Sequence, residues 1–84
     1  MKKRKLLQKL LYGSKNISFS DAVAGAEMFG FRLDRINGSH HIFKHPEVPG
    51  LLNLQDVKGK AKSYQVKQLL CLIERYNLQM GDEA

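Results

Sequence analysis

At Gly30 the hydrophobic period of this chain changes from helical to extended, and that change limits the kind of core it can build. Before it, Phe19, Ala22, Val23, Ala26 and Phe29 recur at the spacing of one helix face. After it, Phe31, Leu33 and Arg35 alternate with Arg32, Asp34 and Ile36, which is the period of a strand. Ser18-Phe19-Ser20-Asp21 has the form of a capping box, in which hydroxyl and carboxylate each satisfy an orphan backbone N–H. The helix therefore runs from about Phe19 to Phe29, with Gly30 as its left-handed stop.

Strand signals continue downstream. Asn37-Gly38 is a two-residue hairpin signal of type I′, which needs positive φ at both positions, and Ser39 to His45 is the returning strand. Pro46 to Pro49 reads as a loop and Leu51 to Val57 as a third strand. "KGKAK" then forms a basic turn. Ser63 caps a last helix whose Val66, Leu69, Leu70, Ile73 and Tyr76 make one stripe, with Asn77 as its stop. Upstream, "KKRKLLQKLLY" places leucines at helical spacing beneath a basic run, a short helix at one edge.

Two helices with one apolar stripe each and a sheet with one apolar face can bury one another only as a two-layer sandwich. The predicted class is α+β, in the order (α)-α-β-β-β-α with a three-stranded antiparallel sheet. That arrangement is similar to the double-stranded RNA-binding domain. At 84 residues the chain holds one domain, 1–84, with a basic N-terminal extension over 1–16, a core over 18–77 and a frayed tail over 79–84.

Charge narrows the partner. Fourteen Lys and Arg against eight Asp and Glu give a net +6, which favours an anionic partner, nucleic acid before membrane. No apolar run approaches the roughly 20 residues that cross a bilayer, and the first leucines are too interrupted for a secretory signal. A cytoplasmic protein is expected. The single cysteine, Cys71, has no disulfide partner within the chain. It falls off the apolar stripe of the last helix, with only Lys67 and Arg75 as basic neighbours at helical spacing, and reads as inert.

All three histidines lie in "NGSHHIFKHP", residues 37–46. On a strand His40, Ile42 and Lys44 point one way and His41, Phe43 and His45 the other. Phe43 is the natural core residue, so His41 and His45 turn toward the helices and His40 toward the open face. Zinc binding by His41 and His45 fails on geometry. Four strand residues separate them by about 13 Å, whereas each ligand must come within about 2.1 Å of the metal. No metal site and no cofactor are expected.

"GFRLDRI", "NGSHHIFKHP" and "GKAKSYQVKQLL", with the helix before them, resemble the HicA toxins of bacterial toxin–antitoxin pairs over about Ser18 to Asn77. The most specific part is Gly38-Ser39-His40. The resemblance implies a small, ribosome-independent endoribonuclease with a double-stranded RNA-binding-like fold. It implies mRNA as substrate and a HicB-like antitoxin that covers the active site. It assigns catalysis to His40, directly after Gly-Ser, with Gly38 and Ser39 at the RNA. Many members follow the third strand with Pro-x-His, where this chain has Gln55-Asp56-Val57, so any auxiliary role of that histidine is absent.

The chemistry agrees with a histidine. RNA cleavage removes a proton from the 2′-OH and delivers one to the departing 5′-oxygen, and an imidazole with an ordinary pKa near 6.5 serves either step at neutral pH. Lys44, Lys58, Lys60 and Lys62 are the nearest cations by sequence for the charge on phosphorus. One histidine on a shallow surface implies a slow enzyme. His41 as a second proton carrier is opposed by its orientation. Against catalysis, a strand histidine beside a turn is ordinarily only a solvated polar residue. The alternative is thus a non-catalytic module of the same fold that binds RNA or the antitoxin, separated from the enzyme by what the His40 side chain does.

Overall fold

Leucines one helical turn apart wind the first segment onto its neighbour. In the structure, a computed structural model that describes residues 3–13 and 16–81, helix α1 (Lys3–Tyr12) buries Leu6 and Leu10. It packs against α2 (Phe19–Met28), where Gly25 leaves room: a Cβ there would run into a Leu10 methyl. Lys9 reaches across to Asp21 at 2.7 Å. Lys2 and Lys15, the outer ends of the basic leader, lie outside the described residues.

Helix α2 begins as half of the expected capping box. Ser18 sits in extended backbone and its hydroxyl accepts the Asp21 N–H at 3.1 Å. The Asp21 carboxylate turns instead to Lys9. Gly30 stops the helix at φ +96°. Strands β1 (Arg32–Asn37), β2 (His40–His45), β3 (Val48–Val57) and β4 (Lys60–Ala61) follow, and α3 (Ser63–Arg75) closes the chain order. The sheet is antiparallel in the order β1-β2-β3-β4.

Helices α2 and α3 cover one sheet face, where Ala22, Ala26, Val66 and Leu69 meet Phe43, Leu52 and Leu54 in one buried cluster. This is the predicted α+β two-layer arrangement, with the two-residue β4 added to the three expected strands. Strand β4 lies within the basic "KGKAK" segment. Lys58 and Gly59 turn the chain with φ +52° and +83°, and the segment at Ile17 and Ser18 also bonds to it.

Four local expectations are corrected. The hairpin between β1 and β2 turns at Gly38-Ser39, not Asn37-Gly38, because Asn37 pairs with His40. Only Gly38 has positive φ, at +63°, the pattern of a type II′ turn with glycine first. Strict alternation fails in β1, where a bulge at Asp34 brings Leu33 opposite Phe43 and Ile36 opposite His41, both on the helix side. The expected loop shrinks to Pro46-Glu47. Pro49 lies inside β3, beyond the stretch that pairs with β4, so its missing N–H leaves no ladder bond unmade on that side. Lys62, not Ser63, is the N-cap of α3, and it makes no side-chain capping bond.

Asn77 ends the last helical segment at φ +51° as expected. Beyond it Leu78 is buried and the Gly81 N–H bonds the Met28 carbonyl. Residues 82–84 lie outside the described part.

Candidate active site

Register puts His40 on the sheet's open face, on an inner strand at the end beside the β1–β2 turn. It opens β2, opposite Asn37 on β1 and Gln55 on β3. Alternation then gives His40, Ile42, Asn53 and Gln55 to the open face, and His41, Phe43, Leu52 and Leu54 to the helix side. His40 is half-buried. Its Nδ1 lies 3.1 Å from Oδ1 of Asn53. An amide oxygen only accepts, so this contact is a hydrogen bond when Nδ1 carries the ring hydrogen.

The turn before His40 is tied to the same strand. Gln55 Nε2 donates to the Ser39 hydroxyl at 3.2 Å, and the Asp56 N–H donates to the Ser39 carbonyl at 3.0 Å. Gln55 is itself held from behind, its backbone N–H bonded to Oε1 of the buried Gln65 at 2.7 Å. At the position of the family's Pro-x-His element, Gln55 thus braces the turn. Asp56 accepts the Gly59 N–H at 2.7 Å.

The other two histidines are elsewhere. His41 packs against Phe19 with ring centroids 4.6 Å apart and lines an apolar groove with Val23, Leu33 and Ile36. Its Nδ1–H donates to the Ser39 carbonyl at 3.3 Å. His45 is buried at the far end of β2. Among the described residues no three His, Cys, Asp or Glu side chains come together as a metal-binding group. Cys71 is exposed on α3.

The basic candidates divide. Gly38 is fully open, with nothing within 4 Å of where a Cβ would stand. Lys58 and Lys60 are exposed on the β3–β4 hairpin, and pairing with Val57 turns Lys60 to the same face as His40. Lys62 lies at the start of α3, its ammonium 5.9 Å from the Tyr64 ring centroid. Lys44 does not join them. It sits four residues along β2 from His40 and is bound to Asp34 at 3.1 Å. Lys44 and Arg35 together hold the Asp34 carboxyl below its ordinary value, Lys44 contributing most.

Sequence reasoning missed Asn53, Gln55 and Gln65. Alternation along "LLNLQDV" would have placed Asn53 and Gln55 on the open face, but which of them meets His40 depends on the β2–β3 register. The buried Gln65 had no signal, because a glutamine in a first helical turn ordinarily faces water.

A helix-backed antiparallel sheet whose open face carries one polar-tethered histidine beside a basic hairpin defines a domain of the double-stranded RNA-binding-like class. The family model for the HicA toxin of bacterial toxin–antitoxin pairs matches residues 19–73, from the start of α2 into α3. The chain belongs to the HicA family and is the toxin of a toxin–antitoxin pair. A comparison with curated proteins gives no match. No helix among the described residues is long and apolar enough to cross a membrane.

Proposed function

We propose that this toxin is a ribosome-independent, metal-independent endoribonuclease that cleaves mRNA in the cytoplasm, with His40 as its general acid–base group. The observation that carries the reading is His40 itself, which stands on the open sheet face directly after the Gly38-Ser39 turn, in reach of a polyanion drawn by the basic hairpin. Transfer of the O2′ proton to imidazole lets O2′ attack the adjacent phosphorus. The O2′–P bond forms, the P–O5′ bond breaks, and a proton returns to O5′. Lys60 and Lys58, exposed on the β3–β4 hairpin, offset charge on phosphorus, and Gly38 and Ser39 lie against the RNA backbone. DNA lacks the nucleophile and survives.

The test is incubation of purified protein with a defined mRNA, without ribosomes and with chelator, followed by mapping of the ends. Fragments ending in 2′,3′-cyclic phosphate and 5′-hydroxyl are expected. RNA that is bound but intact would replace this reading with the non-catalytic module. The antitoxin partner is proposed to be HicB-like and to cover His40. Its association should be tight and salt-sensitive, and it should protect His40 from imidazole acylation. Full reactivity of His40 in the complex would put the partner on another face.

A further inference from the structure

We propose that Asn53 is a positioning residue that selects the reactive nitrogen of His40, keeping Nδ1 protonated so that Nε2 acts as the base toward the 2′-OH. The inference rests on the reading of His40 given above. Its structural part stands on the 3.1 Å approach of Asn53 Oδ1 to His40 Nδ1. Asn53 pairs with Ile42, while His40 pairs with Gln55, so Asn53 is a diagonal neighbour on the same face. Both side chains are half-buried, which restrains the ring against the amide.

A neutral imidazole carries one hydrogen, and where it sits decides which nitrogen can take a proton. The amide oxygen of Asn53 holds it on Nδ1. That bond survives the reaction: once Nε2 has taken the O2′ proton, the imidazolium still donates Nδ1–H to the amide, now as a stronger charge-assisted bond. An uncharged partner orients the ring without the bias toward imidazolium that a carboxylate would impose. The neighbouring bond from Gln55 to Ser39 fixes the turn that carries His40 and has no contact with its ring nitrogens.

Two-bond ¹H–¹⁵N spectra of the full chain read the tautomer directly, and pH profiles of RNA cleavage read its consequence. In the native protein above the His40 titration, the ring hydrogen is expected on Nδ1. Asn53→Leu should release that preference and lower kcat by about 10- to 100-fold, as loss of the orienting partner does for a metal-bound histidine, with KM little changed. Asn53→Asp should keep the hydrogen on Nδ1 and restore much of the rate. It should also move both the His40 titration and the acid limb of the cleavage profile to higher pH. A brace that only held the strands together would not shift that limb.

An Nε2–H tautomer in the native protein, or an unchanged tautomer in Asn53→Leu, overturns the proposal whether or not the protein cleaves RNA. If Asn53→Leu does not fold, Asn53→Asp decides, and an unmoved His40 titration there overturns it. Cleavage at the native rate by His40→Ala would instead overturn the functional reading, with the tautomer result left intact.

Discussion

His45 donates its Nε2–H to the carbonyl of Phe29 at 3.0 Å, and so fastens the end of α2 to β2. The other ring nitrogen, Nδ1, accepts the Glu47 N–H at 3.0 Å across the Pro46-Glu47 turn. Both backbone bonds fit a ring with its hydrogen on Nε2, and the ring meets Phe31 edge-on at 5.1 Å. Two histidines on one strand are thus given different chemistry by their partners. His45 has both nitrogens engaged in backbone bonds, whereas the Asn53 bond to His40 involves Nδ1.

Gly30 and Gly38 separate backbone strain from crowding. Both have positive φ, +96° and +63°. A Cβ on Gly30 would stand 2.9 Å from His45 Nε2, while one on Gly38 would meet nothing within 4 Å. Alanine at Gly38 should cost about 1–2 kcal/mol from backbone strain alone. Alanine at Gly30 should cost about 2 kcal/mol more, because it also displaces a buried ring and leaves its backbone partners unpaired. Urea denaturation of the two variants measures the difference. Equal losses would mean that His45 does not hold this corner.

Asp34 provides a pH test. Its carboxyl lies below the ordinary 3.8 first because of the hydrogen bond and charge of Lys44, and then because of Arg35. A carboxylate with a lower pKa folded than unfolded adds stability above its unfolded value and loses it as pH falls through the folded one. Solvent screens this exposed pair, so the contribution is small, but the titration itself is visible. Carboxyl NMR should place the Asp34 midpoint below 3.8, and Lys44→Ala should raise it. An unmoved midpoint would mean that Lys44 is not its main partner.

The sequence made the layers and the face of His40 legible, because both depend on local period: helical before Gly30, alternating after it, with Phe43 naming the core side. What it hid depends on pairing between distant residues. Gly38 suits a turn at Asn37-Gly38 or at Gly38-Ser39, and the Asn37–His40 pair decides. The bulge at Asp34 has no glycine to announce it, yet it moves Ile36 to the other face. Strand β4 is two residues long, too short for any period, and exists because β3 and the segment before α2 pair with it. Gln65 is buried because the Gln55 N–H needs an acceptor where β4 does not reach.

The lysines should separate by salt dependence of RNA binding. Lys60 and Lys62 flank the hairpin and the start of α3, whereas Lys44 is paired with Asp34 at the other end of β2. Each phosphate contact on single-stranded RNA contributes about 0.7 to the slope of log K against log salt. Lys60→Ala with Lys62→Ala should flatten the slope by about 1.4, and Lys44→Ala should leave it nearly unchanged. The reverse ranking would move the footprint to the Lys44 end of the sheet.

His40 and His41 are adjacent in sequence and opposite in expected effect. His40→Ala removes one half-buried hydrogen bond to Asn53, so the loss of stability should be about 0.5–1 kcal/mol, and the fold and most RNA affinity should persist. Cleavage should fall by about 10² to 10⁴, the usual worth of a positioned acid or base. His41→Ala removes the ring packed on Phe19 and the bond to the Ser39 carbonyl. It should cost about 1–2 kcal/mol and change cleavage only a few-fold, through looser seating of the turn. Thermal melts, RNA affinity and initial cleavage rates on the two variants decide together. Native cleavage by a folded His40→Ala, or a His41→Ala protein that is stable but inactive, would move the chemistry off His40.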